Sequence, residues 1–440
     1  MRILHTSDWH LGRTLEGRSR IEEQVMFINE LCRIVEDEAV DLILIAGDVF
    51  DTVNPPAIAE ELFYAALDRL SAGGSRAIVA IAGNHDNPER LCAASPLAEG
   101  NGITLYGLPK EVLKPSSPNL LAQTNQKRVT RIAAGQGWVE LDIPNCPDPA
   151  IVAMLPYPSE SRLNEVLSES LDEKILREEY SKRVQQLFSS FSQHFRPDAV
   201  NLGISHLFVR GGMESESERP IQLGSAPTVE TNALPSGAQY VALGHLHRAQ
   251  VVKGAVAPTR YSGSPLAYSF SETGYAKSVT LVEAFPGRAV TTREIFLSAG
   301  FPLVKWQAKE GLAQVQQWID EGRDLNAWID LEIYVTSPLQ SQDIHSIRRQ
   351  RERLINIRPV FPDTEKIVAE ARSKLPIDEL FRKFYQDRTG GAEPEQELVS
   401  LFLSLIDPDS TTAPSTTIDE AITTLSPQSQ TINDEEVETA

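Results

Sequence analysis

Five short clusters of carboxylate, imidazole and amide side chains punctuate the first part of the 440-residue chain. They are Asp8-Trp9-His10, Gly47-Asp48-Val49-Phe50-Asp51, Gly83-Asn84-His85-Asp86, Ser205-His206 and Gly244-His245-Leu246-His247. Carboxylate, imidazole and amide oxygen without thiolate is a donor set for hard-to-borderline divalent ions. The candidate ligands are Asp8, His10, Asp48, Asn84, His206, His245 and His247, with Asp48 the natural bridge between two ions. Two ions about 3.5–4 Å apart would hold an attacking hydroxide and the phosphate oxygens of an in-line displacement. Each cluster alone reads equally well as a turn or a satisfied histidine. Their weight lies in occurring together, each where a strand is expected to end.

Hydrophobic patterning supplies those strands. Arg2–Ser7, Asp41–Ala46 and Arg76–Ala82 are short apolar runs, and residues 21–37 and 57–70 carry helical stripes between them. This βαβαβ rhythm implies a mainly parallel sheet covered on both faces, with its carboxyl ends converging on one edge. Further strands are expected over 128–139, 150–155, 200–204, 240–243, 260–262, 278–283 and 289–296, with a long, interrupted helix over 161–195. Asp8 with His10, and His245 with His247, have the i, i+2 spacing that puts both side chains on one face of a strand. Glycines before Asp48, Asn84 and His245 would let the backbone turn sharply. His5, mid-strand, reads as a core or supporting residue.

The first unit, which carries all five clusters, is expected to span residues 1–299. A small β-α-β-α-β unit follows over 300–365, then two amphipathic pieces over 376–407 joined by Gly390-Gly391. Their stripes are Leu380, Phe381, Phe384 and Tyr385, and Leu398, Leu401, Phe402 and Leu405. They fit a docking element or a plain helical hairpin equally. Residues 408–440 are Ser/Thr/Pro-rich and acidic, the composition of a disordered tail.

No apolar run approaches the roughly 18 residues of a membrane helix. Nothing resembling a leader precedes the first motif, and Cys32, Cys92 and Cys146 stand in no metal or disulfide spacing. On these features a cytoplasmic protein is expected. The formal net charge is −20, and seven acidic and no basic residues lie in 408–440, so residues 1–407 still carry −13. A chain this acidic should grip nucleic acid weakly alone. It needs a basic partner or acts on something small.

The five motifs, in this order, resemble those of the calcineurin-like metallophosphoesterase superfamily. The resemblance implies an α/β sandwich, β-sheets flanked by helices, followed by a small α+β capping domain. Within the superfamily the chain is similar to nuclease subunits that work with an SbcC-type coiled-coil ATPase on DNA ends and hairpins. That likeness rests on His5-Thr6-Ser7-Asp8-Trp9-His10-Leu11-Gly12, Gly47-Asp48-Val49-Phe50-Asp51-Thr52, Ser217-Glu218-Arg219-Pro220, the run from Tyr240 to His247 and the run from Arg260 to Phe270. It implies one ion, usually manganese, on Asp8, His10, Asp48 and His247, and a second on Asp48, Asn84, His206 and His245. It also implies that His85 contacts the scissile phosphate or protonates the leaving oxygen, oriented by Asp51. Residues 300–365 would guide DNA to the ions, 376–407 would dock on the ATPase, and the protein would form a homodimer within a heterotetramer. Asp51 is followed by Thr52-Val53, and the third motif ends in Asp86, which separates the chain from protein Ser/Thr phosphatases. The competing readings are a stand-alone enzyme for small phosphodiesters and a non-enzymatic scaffold.

Overall fold

The computed structural model describes residues 1–117, 127–165, 172–215, 218, 228–361, 376–389 and 393–406. The acidic tail, the Gly390-Gly391 turn, residues 118–126 and Ser217, Arg219 and Pro220 lie outside the described residues. Two compact units emerge, Met1–Ile333 with Leu339–Pro359, and Tyr334–Pro338 with Val360–Ala440.

Two sheets form the centre of the first unit, as a sandwich of β-sheets requires. In spatial order the six-stranded sheet holds Thr291–Phe296, Ser278–Glu283, Arg2–Thr6, Leu42–Ala46, Ala77–Ile81 and Ile103–Tyr106. Its last four strands run parallel, and the first two are antiparallel additions. The seven-stranded sheet holds Gln250–Val251, Thr259–Tyr261, Tyr240–Gly244, Val200–His206, Ala150–Leu155, Trp138–Asp142 and Thr130–Gly135. Its middle is parallel as well. The segment expected as one strand over 128–139 is a hairpin, because Gln136-Gly137 turns the chain and pairs Gly135 with Trp138.

The apolar Leu-Ile-Leu-Ile run follows from this layering. Leu42 and Leu44 face the second sheet, packing with Val152, Met154, Leu202 and Ile204. Ile43 and Ile45 face the opposite way, against Phe27, Leu31 and Phe63 of helices Ile21–Asp37 and Ala57–Ser71. With both faces covered, no polar alternation survives. The second sheet is covered in turn by helix Glu173–Phe191 through Tyr180, Val184, Leu187 and Phe188. The fold is therefore a four-layer α/β sandwich, and the carboxyl ends of both parallel strand sets open on the same site.

Strands Leu303–Ala308, Trp328–Tyr334 and Leu354–Val360 form a three-stranded sheet with helices Leu312–Asp320 and Ser341–Gln350. Glu23 fastens it. Its carboxylate accepts from the Trp328 indole at 2.8 Å and the Phe301 amide at 2.7 Å, and pairs with buried Arg20. In the second unit, helices Ile377–Thr389 and Gln396–Ile406 pair through Phe381 and Phe402, whose rings stack at 4.1 Å. Among the described residues no helix is long and apolar enough to cross a membrane.

Candidate metal centre

Four of the five motif-bearing strands stop before their candidate ligands begin; only Val200–His206 carries its own, His206, as the last residue of the ladder. Arg2–Thr6 ends two residues before Asp8, and Tyr240–Gly244 ends before His245. Neither pair therefore shares a strand face as i, i+2 neighbours, contrary to the expectation from their spacing: Asp8, His10, Asp48 and His245 have φ of 54°, 45°, 49° and 109°. Such left-handed backbone cannot continue a strand. It is held in place by tertiary hydrogen bonds, from Asp8 N to Gly47 O at 3.0 Å and from His10 N to Asp48 O at 3.0 Å. Strain of this kind persists where the surroundings over-determine it, as at functional sites.

Close approach explains two of the motif glycines better than turning does. A Cβ on Gly83 would lie 2.1 Å from Asp48 Oδ1, and one on Gly244 would lie 1.9 Å from Ala46 O. Only a hydrogen fits at either place.

The structure brings all nine predicted site residues into one cluster. Donor atoms of Asp8, His10 and His247 lie within 4.8 Å of one another, as do those of Asp8, Asp48 and His206, and those of His10, Asp51 and His85. Asn84 Oδ1 joins them at 2.9 Å from His206 Nε2 and 3.0 Å from His245 Nδ1. Asp8, His10 and His206 have no exposed surface.

The nitrogen lone pairs decide what the cluster suits. His206 Nδ1 is 2.9 Å from Ala46 O, an atom that can only accept, so the hydrogen of the neutral ring sits on Nδ1 and Nε2 points inward, open to a proton or a cation. His10 Nδ1 faces the Asp51 carboxylate at 3.5 Å, and His247 Nδ1 faces that of Glu272 at 3.5 Å. Their Nε2 atoms meet at 3.0 Å. Asp48 Oδ2 sits 3.4 Å from His206 Nε2 and 3.7 Å from His10 Nε2. Neutral acceptors facing acceptors repel, whereas cis ligands with bonds of about 2.1 Å stand about 3 Å apart around one cation. The donor set and its spacing fit divalent metal ions.

Ionisation preferences agree. Burial alone would lower the His206 pKa, but the Asp48 carboxylate, with Asp8 beyond it, outweighs burial and raises it to about 9. A proton there does part of a cation's work. Burial pushes Asp8 up to about 6 and His10 down to about 3. Asp48 is held well below the usual carboxylate range, because burial is outweighed by the His206 and His85 imidazoles.

His85 lies at the edge of the cluster. Its Nδ1 donates to the Asp51 main-chain carbonyl at 2.6 Å, which leaves Nε2 4.0 Å from Asp48 Oδ2. The Asp51 carboxylate faces elsewhere, 3.5 Å from Arg13 as well as from His10.

Several supporting residues escaped sequence reasoning. Asp86 accepts from the amides of Val49, Phe50 and Gly83, tying the second motif to the third. Arg162 donates to Gly83 O and Asp86 O, each at 2.6 Å. Glu218 accepts the His247 amide at 2.7 Å, and Tyr268 sets its ring against those of His10 and His247. Asp86 and Glu218 stand inside quoted motifs, so a buried acid within a motif was the available signal. Arg162 carried none.

Residues 1–249 match the model of the calcineurin-like phosphoesterase family. The chain belongs to this family. It is a phosphodiester hydrolase by that membership and by its relatives. The chain is 52% identical over 406 residues to the SbcCD nuclease's D component from Bacillus subtilis (strain 168), covering 92% of this chain and 97% of that one. The Escherichia coli (strain K12) protein of the same name is 27% identical over 429 residues, covering 92% and 98%. That of Rhodobacter capsulatus is 33% identical, covering 70% of this chain and 72% of the relative.

Proposed function

We propose that the chain is the nuclease component of an SbcCD-type complex, a double-strand 3′–5′ exonuclease and single-strand and hairpin endonuclease serving DNA double-strand-break repair. The facing Nε2 atoms of His10 and His247, on a phosphoesterase fold, carry the reading, and 52% identity to a component of the SbcCD nuclease supports it. Two manganese ions would sit on Asp8, His10, Asp48 and His247, and on Asp48, Asn84, His206 and His245. When bound, such a pair neutralises phosphate charge and activates water for in-line attack.

The chain's own groups do the rest. His85, anchored at Nδ1 by the Asp51 carbonyl, directs Nε2 into the site and delivers a proton to the leaving oxygen. Asp51 acts on His85 through its main chain and steadies His10 through its carboxylate. Arg162 and Asp86 keep the third-motif loop against Asp48.

Residues 300–365 serve as the cap that guides DNA. The helices over 376–407 dock on an SbcC-type ATPase, a helix-in-groove contact supported by the exposed apolar surface of Ile377 and Leu398. The partner supplies phosphate-binding surface that a chain of net charge −20 lacks. A second copy covers the apolar patch around Tyr64 and Leu97, beside a cavity of about 490 Å³; Leu97 is 79% exposed. Sedimentation should find a dimer that Leu97→Asp splits.

The deciding experiment assays the purified chain with manganese on duplex ends, on hairpins and on bis(p-nitrophenyl) phosphate, with and without the co-purified ATPase and ATP. DNA cleavage that the ATPase enhances is expected. Hydrolysis of the small ester with no cleavage of DNA in any combination would overturn the nuclease reading.

A further inference from the structure

Behind His247 lies a buried ion pair that none of the five motifs contains. Glu272 ends the short turn Phe270–Glu272 and is 1% exposed. Its Oε1 accepts the Tyr268 amide at 3.1 Å and faces His247 Nδ1 at 3.5 Å. Its Oε2 accepts from the Lys277 ammonium. Lys277 Nζ also reaches the His247 carbonyl at 3.2 Å and Ser264 Oγ at 2.8 Å.

We infer that Glu272 and Lys277 are a positioning pair that presents His247 Nε2 to the site as a ligand. The inference rests on the two-ion reading of that site. An ionised carboxylate can only accept, so the ring hydrogen of His247 belongs on Nδ1 and the lone pair on Nε2. Nε2 is the atom that meets His10 Nε2 at 3.0 Å. A carboxylate behind a ligating imidazole fixes its tautomer and raises its basicity. Lys277 makes that carboxylate tolerable. Asp8, Asp48 and Asp51 already crowd the site with negative charge, and a buried carboxylate without a counter-charge is strongly disfavoured. By holding the His247 carbonyl too, Lys277 fixes main chain and ring together. Glu272 therefore does for His247 what the Asp51 carboxylate does for His10, at the same 3.5 Å.

A purely structural ion pair would stabilise the loop without singling out one ion. Manganese titration calorimetry separates the two, with the thermal midpoint of the metal-free protein measured alongside. The full chain should bind two ions. In Glu272→Gln, the ion held by His247 should bind about 10–100-fold more weakly and the other unchanged. Should Glu272→Gln misfold, Glu272→Gln with Lys277→Met removes both charges at once, and the same selective weakening is expected. Equal loss at both ions together with a lower metal-free midpoint, or no loss at either, would overturn the inference. If the parent chain itself binds no manganese, the two-ion reading fails first, and the inference with it.

Discussion

His10 Nε2 and His247 Nε2 face each other at 3.0 Å, each on a ring whose Nδ1 is turned to a carboxylate. A cation between them relieves the repulsion, so folding and metal binding are linked. Adding manganese to about 100 times its Kd should stabilise the protein by about 2.7 kcal/mol per site. Differential scanning calorimetry of chelated and loaded protein reads this directly. His247→Ala should abolish the gain from the site it serves, about half of the total, and an unchanged midpoint on loading would refute the linkage.

The pH dependence of the metal-free protein follows from His206. Its pKa rises from 6.5 to about 9 because Asp48 outweighs burial. The folded state then holds a proton that the unfolded state releases, so this stabilisation is complete below pH 6.5 and is lost as pH rises through about 9. His5 and His10, lowered to about 3 chiefly by burial, act in the other direction but only below about pH 7.5. Chelated protein should therefore lose stability between about pH 7.5 and 9, while manganese affinity climbs over the same interval as the proton is displaced. Denaturant melts at fixed pH values test it; a flat or rising profile would count against the His206–Asp48 pairing.

His85 and Asp51 should separate cleanly. Removing a general acid typically lowers kcat by about 10²–10⁴-fold, so His85→Gln should show that loss with both ions retained. Asp51→Ala keeps the carbonyl that anchors His85 and removes the carboxylate that faces His10 and Arg13. Its main effect should be weaker metal binding, seen in metal analysis after dialysis. A variant with full metal content and the His85→Gln rate would mean that the side chain, not the main chain, orients His85.

Glu23 joins helix Ile21–Asp37 to Trp328 and Phe301. Glu23→Ala leaves Arg20, 1% exposed, without its carboxylate. Breaking a buried pair in this way costs about 3–5 kcal/mol. Urea unfolding should register it, and a change below about 1 kcal/mol would show the clamp to be ornamental.

What could be read from the residues alone was local or periodic. Helix Ile21–Asp37 follows from its apolar stripe, and Leu42–Ala46 from an apolar run that only a doubly covered strand tolerates. The hairpin at Gln136-Gly137 was hidden because a glycine inside a strand pattern reads as a bulge as readily as a turn. Strand Ile103–Tyr106 was missed because four residues carry too little pattern. The candidate ligands were legible from their types, but not their left-handed backbone. That depends on hydrogen bonds such as Asp8 N to Gly47 O, between segments far apart in the chain. Glu272 and Lys277 were illegible for the same reason, since nothing in their spacing points at His247.

The central claim is a pair of ions bridged by Asp48, and crystals grown with manganese test it most directly. Anomalous difference density should show two peaks about 3.5–4 Å apart, one beside Asp8, His10 and His247 and the other beside Asn84, His206 and His245, with Asp48 touching both. A single peak, or peaks away from Asp48, would contradict the account.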